Sequence, residues 1–246
     1  MVYAVISDVH GNRWALEAIL HDISARPVDV LVNLGDSVYG PLQPHETALL
    51  LRECCQIHVL GNQDRILLEP SGHGRSPAVE ACTKTLTDAD LAWLQESHKS
   101  SIALDDLLLV HGTALNDSEY LTEDISSGVP AILSAASIEE RIGSSDAKVV
   151  LCGHSHMPRC IRTRDRLVVN PGSVGLQAYD DEAPVPHFME TGSPDARYAI
   201  LELDGEQVTV HHIAVPYDYH EAMALAARNG RTDWAYWLER GRAKIG

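Results

Sequence analysis

The run Val2–Ile6 (VYAVI) is apolar at every position. A strand with one wet face alternates in polarity. A strand covered on both faces does not, so this run predicts a strand held between two layers. Beyond it, Trp14, Ala15, Ala18, Ile19 and Ile23 fall at helical spacing, and Arg26-Pro27 stops the pattern. Residues 28–35 (VDVLVNLG) form a second apolar strand, Pro44 suits the first turn of a helix reaching about Cys54, and Gln56–Leu60 reads as a third strand. The order β-α-β-α-β over residues 1–60 commits the chain to parallel strands with helices outside, because parallel neighbours need a crossover connection.

The remainder is less regular. Residues 69–78 (EPSGHGRSPA) read as a surface loop, and Thr87 can cap a helix carrying Leu91, Trp93 and Leu94. Ile102–Leu104 and Leu107–Val110 predict a hairpin around Asp105-Asp106. Residues 121–142 are mixed, with a helix near 137–142. Strands are predicted at 149–152, 160–164 and 167–170. Residues 176–196 are a long acidic excursion. A late hairpin is expected over 198–203 and 208–213. C-terminal helices follow at about 219–240, one over Tyr219–Arg228 and a shorter one placing Trp234 and Trp237 on one face. No repeat or linker interrupts the pattern, so residues 1–246 are expected to form a single domain.

The chemistry stands at the strand ends. The first strand runs into Asp8-Val9-His10, the second into Gly35-Asp36 and the third into Gly61-Asn62. Leu107–Val110 runs into His111-Gly112, and the strand at 149–152 into Gly153-His154-Ser155-His156. Any one of these pieces alone is an ordinary turn or a pair of surface imidazoles. All of them in order, each just past the carboxyl end of an apolar run, is a ligand edge of an open α/β sheet. Four imidazoles, two carboxylates and an amide make a mixed N/O donor set, which suits Mn, Fe, Co, Ni or Zn better than Ca or Mg.

The set DxH, GD, GN, H and GHxH, with flanking text SDVHGN, LGDSVYG, LGNQD, VHG and CGHSHMP, resembles the calcineurin-like metallophosphoesterases. Asn170-Pro171-Gly172-Ser173 matches an element of the smaller bacterial and archaeal members. The resemblance covers about residues 2–175 and is greatest to the small phosphodiesterase-like branch. It implies an α/β (α+β) fold, a two-sheet sandwich flanked by helices. It also implies two divalent transition-metal ions, one held by Asp8, His10, Asp36 and His156, the other by Asp36, Asn62, His111 and His154. Asp36 would bridge them, as ions about 3.5–4 Å apart require. The implied reaction is hydrolysis of a phosphodiester, with in-line attack by a metal-bridging hydroxide and no covalent enzyme intermediate. A phosphomonoesterase or a dinucleoside-polyphosphate hydrolase is the alternative. Because one branch of this fold serves as a scaffold in membrane-coat assembly, a protein-interaction module with weak catalysis is the reading from another class.

The pattern departs from the family at Gln63, where many members have a His thought to protonate the leaving oxygen. A glutamine can hydrogen-bond but cannot act as a general acid. His45, His73 and His187 are the candidates to replace it, each competing with a plain surface reading. Asp64, which in relatives orients the missing His, is expected to act with Asn62 at the catalytic centre, to pair with Arg65 or to cap a turn. Arg65 and Asn12 are candidate phosphate contacts. An exposed charge is the other reading of Arg65, and a cap of the first helix the other reading of Asn12.

Net charge of −16 argues against a nucleic-acid polymer as partner, since such binding needs a basic face. It leaves room for a small phosphate ester drawn in by divalent ions. No apolar run approaches the roughly 20 residues of a membrane span. The N-terminus lacks the form of a signal peptide, and the 5 cysteines show no framework spacing. A cytoplasmic protein with free thiols is the expectation. The sequence does not speak to oligomeric state.

Overall fold

Burial of Val2–Ile6 on both faces sets the layering of the molecule. Tyr3 and Val5 point into one buried cluster, and Ala4 and Ile6 into another. The computed structural model describes residues 1–70 and 76–243; His73 and the middle of the expected surface loop lie outside them. The chain begins β1 (Val2–Ile6), α1 (Arg13–Ser24), β2 (Val30–Asn33), α2 (Pro44–Cys54), β3 (Ile57–Val59) and α3 (Asn62–Leu68). Helices α4 (Pro77–Thr83) and α5 (Asp88–Ser97) lead to β4 (His98–Lys99) and the hairpin β5 (Ser101–Leu104) and β6 (Leu107–Val110). A small hairpin, β7 (Glu123–Asp124) and β8 (Ala131–Ile132), precedes α6 (Ala135–Ile142), β9 (Val149–Leu151), β10 (Arg159–Arg162) and β11 (Leu167–Asn170). Then come β12 (Ala178–Asp181), β13 (His187–Glu190), β14 (Ala196–Asp204), β15 (Gln207–Val215), α7 (His220–Arg228) and α8 (Thr232–Arg240).

One sheet has the order β15-β14-β1-β2-β3-β4, and the other β10-β11-β9-β6-β5. Strands β1 to β4 are parallel, as are β6, β9 and β11, while the flanking strands pair antiparallel. The sheets face each other across a core that includes Val5, Val32 and Val59 from one side and Leu109, Leu151 and Val169 from the other. Helices α1 and α2 cover the outer face of the first sheet through Leu16, Ile19 and Leu51. Helix α6 covers the second through Ile138 and Ile142. The result is the expected sandwich of two sheets flanked by helices.

Several elements differ from the sequence reading. Helix α3 starts at Asn62, where only a strand end is expected; its apolar residues 66–68 are consecutive and show no helical period. The acidic excursion at 176–196 is an ordered hairpin, with β12 and β13 paired from Ala178 against Glu190 to Asp181 against His187. The late hairpin is longer than expected, pairing Ala196 with Val215 at its open end. Helices α7 and α8 pack on the main body through Leu42, Leu176 and Ala178. All five cysteines are free thiols. No helix among the described residues is long and apolar enough to cross a membrane.

Leu151 is fully buried between the sheets, directly ahead of the Gly153-to-His156 loop. Leu151→Ala is expected to lower the unfolding free energy by about 2–5 kcal/mol in urea denaturation. Leu115→Ala, at a side chain 94% exposed, should stay within about 0.5 kcal/mol of the parent. Equal effects at the two sites would contradict this placement of the core.

Candidate metal centre

The strands stop where the chain turns left-handed. Asp8 (φ 54), His10 (φ 52), Asp36 (φ 51), His154 (φ 67) and His156 (φ 59) all have positive φ, and among the described non-glycine residues only Asp105 shares it. Such backbone costs about 1–3 kcal/mol per residue and persists where the surroundings fix it. Asp and His are among the types that tolerate it best. Here the loops fix one another. The Asp8 N–H donates to the Gly35 carbonyl (2.9 Å), and that of His10 to Asp36 (2.9 Å). The Gly153 N–H donates to His111 (2.8 Å), and that of Gly175 to Asp8 (3.0 Å). The approach is so close that a Cβ on Gly61 would lie 2.1 Å from Asp36 Oδ1 and 2.2 Å from Asp36 N.

These turns bring together two groups, Asp8 with His10 and His156, all buried, and Asp36 with His111 and His154, of which His154 is half-buried. Within each group the ligand-capable atoms lie within 4.8 Å of one another. Asp36 spans both, with Oδ2 3.8 Å from His10 Nε2 and 3.4 Å from His111 Nε2. Asn62 adds its carbonyl oxygen, 3.0 Å from His111 Nε2. Six strand-end residues and Asn62 at the start of α3 thus converge as the sequence order implies.

The donor set fits divalent cations on two observations. Three histidines place Nδ1 on a backbone carbonyl: His10 on Tyr39 (2.9 Å), His111 on Leu34 (2.8 Å) and His156 on Leu176 (2.6 Å). With Nδ1–H donating there, the Nε2 lone pairs aim at the centre, the arrangement by which protein carbonyls orient metal-binding imidazoles. Between His10 and His156 those nitrogens are only 3.1 Å apart. Facing lone pairs at that distance repel, and a cation beside them removes the conflict. The second observation is Asp8 Oδ1, which is buried without a hydrogen-bond donor. Buried polar atoms are almost always partnered, and a cation held by Asp8 and by His156, whose Nε2 is 3.4 Å away, would partner this one.

Burial opposes ionisation of both carboxylates, yet His156 and His111 hold Asp8 below the usual carboxylate range, and His111 and His10 do the same for Asp36. Burial, then neighbouring His111, pushes His154 down to about 4. Against its own burial, Asp36 lifts His111 to about 10. The cluster holds its acids ionised and excludes protons from His154, as a divalent ion needs from its ligands, whereas His111 keeps a proton that a bound ion would displace from Nε2.

Other residues singled out in the sequence take different places. Asn12 is the helix cap: Oδ1 accepts from the Ala15 N–H (3.2 Å), and Nδ2 donates to Gly175 O (2.9 Å) and the Tyr217 hydroxyl (3.0 Å). Both amide hydrogens are used inside the fold, so no part of this buried side chain is left for a phosphate. Asp64 neither pairs with Arg65 nor caps a turn. It is fully buried and accepts the N–H groups of Ser37 (3.0 and 2.9 Å) and Val38 (3.2 Å), bracing the loop behind Asp36. Burial and the Asp36 charge push its carboxyl up to about 7. Arg65 is half-exposed and committed to a fork on Asp117 (2.6 and 2.9 Å), with Glu69 on its third nitrogen (3.2 Å). His45 pairs with Asp90 (2.7 Å). His187 is buried, with Nε2 2.9 Å from the Tyr120 hydroxyl. Gln63 lines the cleft over the centre, and its backbone N–H donates to Asp36 Oδ1 (2.9 Å), a task that any residue but proline performs.

The cleft above these ligands, of about 210 Å³, is walled by aromatic residues that the sequence reading does not assign to the site. Tyr120 stacks on His154 (4.7 Å between centroids), Tyr179 meets His156 edge-on (4.6 Å), and Trp234 of α8 meets His10 (5.7 Å). Nothing local in the sequence signals them, because each joins the site through a distant element. Gly61→Ala is expected to weaken retained metal by about 10-fold or more through Asp36, read by equilibrium dialysis. It should also cost about 1–3 kcal/mol in stability from overpacking. Parent-like metal retention would contradict the close approach of Gly61 to Asp36.

A model of the calcineurin-like phosphoesterase superfamily domain matches residues 1–191. An uncharacterized protein of Methanocaldococcus jannaschii is 26% identical over 241 residues, covering 94% of each chain. Among solved structures, a metallophosphoesterase from Sphaerobacter thermophilus is 28% identical with a TM-score of 0.76, covering 98% of this chain and 99% of its own. A hypothetical protein from Pyrococcus horikoshii is 17% identical with a TM-score of 0.74, covers 98% of both chains, and shares the fold. The C-terminal helices therefore lie within what these structures share. With a matching domain model over most of its length and the motif order carried into one buried cluster, the chain belongs to the calcineurin-like phosphoesterase superfamily.

Proposed function

We propose that the protein is a binuclear metal-dependent phosphodiesterase acting on a small phosphate ester, with two divalent transition ions such as Mn, Fe, Co, Ni or Zn. The observation that carries this reading is Asp36, a single carboxylate within reach of both histidine groups. When bound, such ions supply an activated water and offset the charge of the phosphoryl oxygens. The protein's part is orientation. Backbone carbonyls fix the rings of His10, His111 and His156, and Asp64 braces the loop that carries Asp36. Asn62 turns its oxygen to His111, which leaves its amide N–H groups as donors to a phosphoryl oxygen.

Gln63 faces the cleft where a general acid would serve. It can donate a hydrogen bond but no proton, so departure of the leaving group rests on that group's own stability. This favours diesters with good leaving groups over monoesters of simple alcohols. A scaffold without catalysis is the weaker reading, since buried carboxylates and facing imidazoles burden a fold that uses them for nothing else.

Asp36→Asn is expected to lower kcat/KM on bis(p-nitrophenyl) phosphate by at least about 100-fold, a lower bound set by what even the outer partners of metal ligands are worth. Parent-like turnover would sink the shared-carboxylate reading. Gln63→His should speed hydrolysis of alkyl diesters, by up to about 100-fold, and leave aryl diesters little changed. No gain on any ester would mean that position 63 has no part in leaving-group departure. Faster turnover of p-nitrophenyl phosphate than of its diester would favour a phosphomonoesterase.

A further inference from the structure

A second and larger cleft, of about 760 Å³, opens on the same metal centre. It shares Asn62, Tyr120, His154 and Asp181 with the first, so the Asp36, His111 and His154 group is reached from two sides. A phosphorus atom held at that junction presents one ester oxygen to each cleft. The larger cleft runs between Tyr120 and the β7 turn on one side and residues 183–185 on the other.

Its walls carry acids. Glu123 is answered by Arg159 (3.1 Å) and Glu119 by Arg141 (3.3 Å), and Arg141 also donates to the Tyr120 and Glu123 carbonyls. Asp124 and Asp181 accept backbone N–H groups, from Ser126 (2.9 Å) and Ala183 (2.9 Å), and among the described residues neither has an ion-pair partner. In the smaller cleft the one lining Arg or Lys among the described residues, Arg231, is held by Asp233 (2.6 Å). Away from the ions themselves, both approaches repel anions.

We propose that the substrate is a phosphodiester whose phosphoryl group carries its only negative charge, with a small substituent in the first cleft and a larger neutral or cationic substituent in the second. This rests on the phosphodiesterase reading above and narrows it. It disfavours a dinucleoside polyphosphate, whose extra phosphates would face Asp124 and Asp181 in the second cleft.

The test uses the metal-reconstituted full chain and p-nitrophenyl phosphodiesters that differ only in the second substituent: choline, which is cationic, and carboxypropyl, which is anionic and of similar size. With one leaving group throughout, kcat/KM reads the arm alone. The choline ester is expected to exceed the carboxypropyl ester by roughly 10-fold or more at low salt, the scale of two water-screened repulsions, and the ratio should shrink as salt is added. In Asp124→Lys/Asp181→Asn the ratio should fall to about one or invert, with metal content and unfolding midpoint confirming that the variant is folded. A parent ratio near one, or a ratio unmoved in the folded variant, overturns the arm assignment and leaves the phosphodiesterase reading standing. No turnover of either ester by the metal-loaded chain overturns both.

Discussion

Left-handed backbone at the strand ends is the constraint on which the rest of the structure depends. Asp8, His10, Asp36, His154 and His156 hold this conformation at a cost that a free loop would shed. They keep it because each turn is hydrogen-bonded to the next: Asp8 to Gly35, His10 to Asp36, and Gly175 to Asp8. The first two bonds join the ends of neighbouring strands β1 and β2, and the third reaches Asp8 from the segment that follows β11 of the other sheet, so the full set forms only when both sheets stack with their carboxyl ends on one side. The sandwich core at Val5, Leu109 and Leu151 is therefore what makes the strained turns affordable. The same geometry explains the glycines, since Gly61 is the only residue type that lets α3 start against the Asp36 carboxylate.

The fold was legible where burial is two-sided. Val2–Ile6 and Leu107–Val110 are apolar throughout because both faces are covered, and both were readable as strands from composition alone. The start of helix α2 was readable because Pro44 marks its first turn. Other elements were hidden for physical reasons. Helix α3 begins at a buried asparagine beside the candidate metal centre and buries too few residues to show a period. The hairpin of β12 and β13 carries exposed acids at 180–182 that read as loop, although Ala178, His187 and Met189 are buried.

The site divides along the same line. Its candidate ligands were legible because each follows its strand in fixed order, a local property. What surrounds them was not. Asn12 was ambiguous until Gly175 and Tyr217, both remote in sequence, took its amide hydrogens. Asp64 was assigned by its neighbours in sequence, and its true partners, the Ser37 and Val38 N–H groups, lie a whole crossover away. The aromatic walls come from the loop that carries Tyr120 and from the late elements β12 and α8, which bring Tyr179 and Trp234 back over the centre. The cleft walls are thus written mainly in segments outside the recognisable motifs.

The central claim is that these turns hold two ions close enough to share Asp36. Electron paramagnetic resonance of the Mn-reconstituted full chain, with bound metal counted on the same sample, tests it most directly. The account predicts two Mn ions per chain and the multiline spectrum of an exchange-coupled pair, as ions about 3.5–4 Å apart produce. One ion per chain, or two with only the spectrum of isolated Mn, would contradict it.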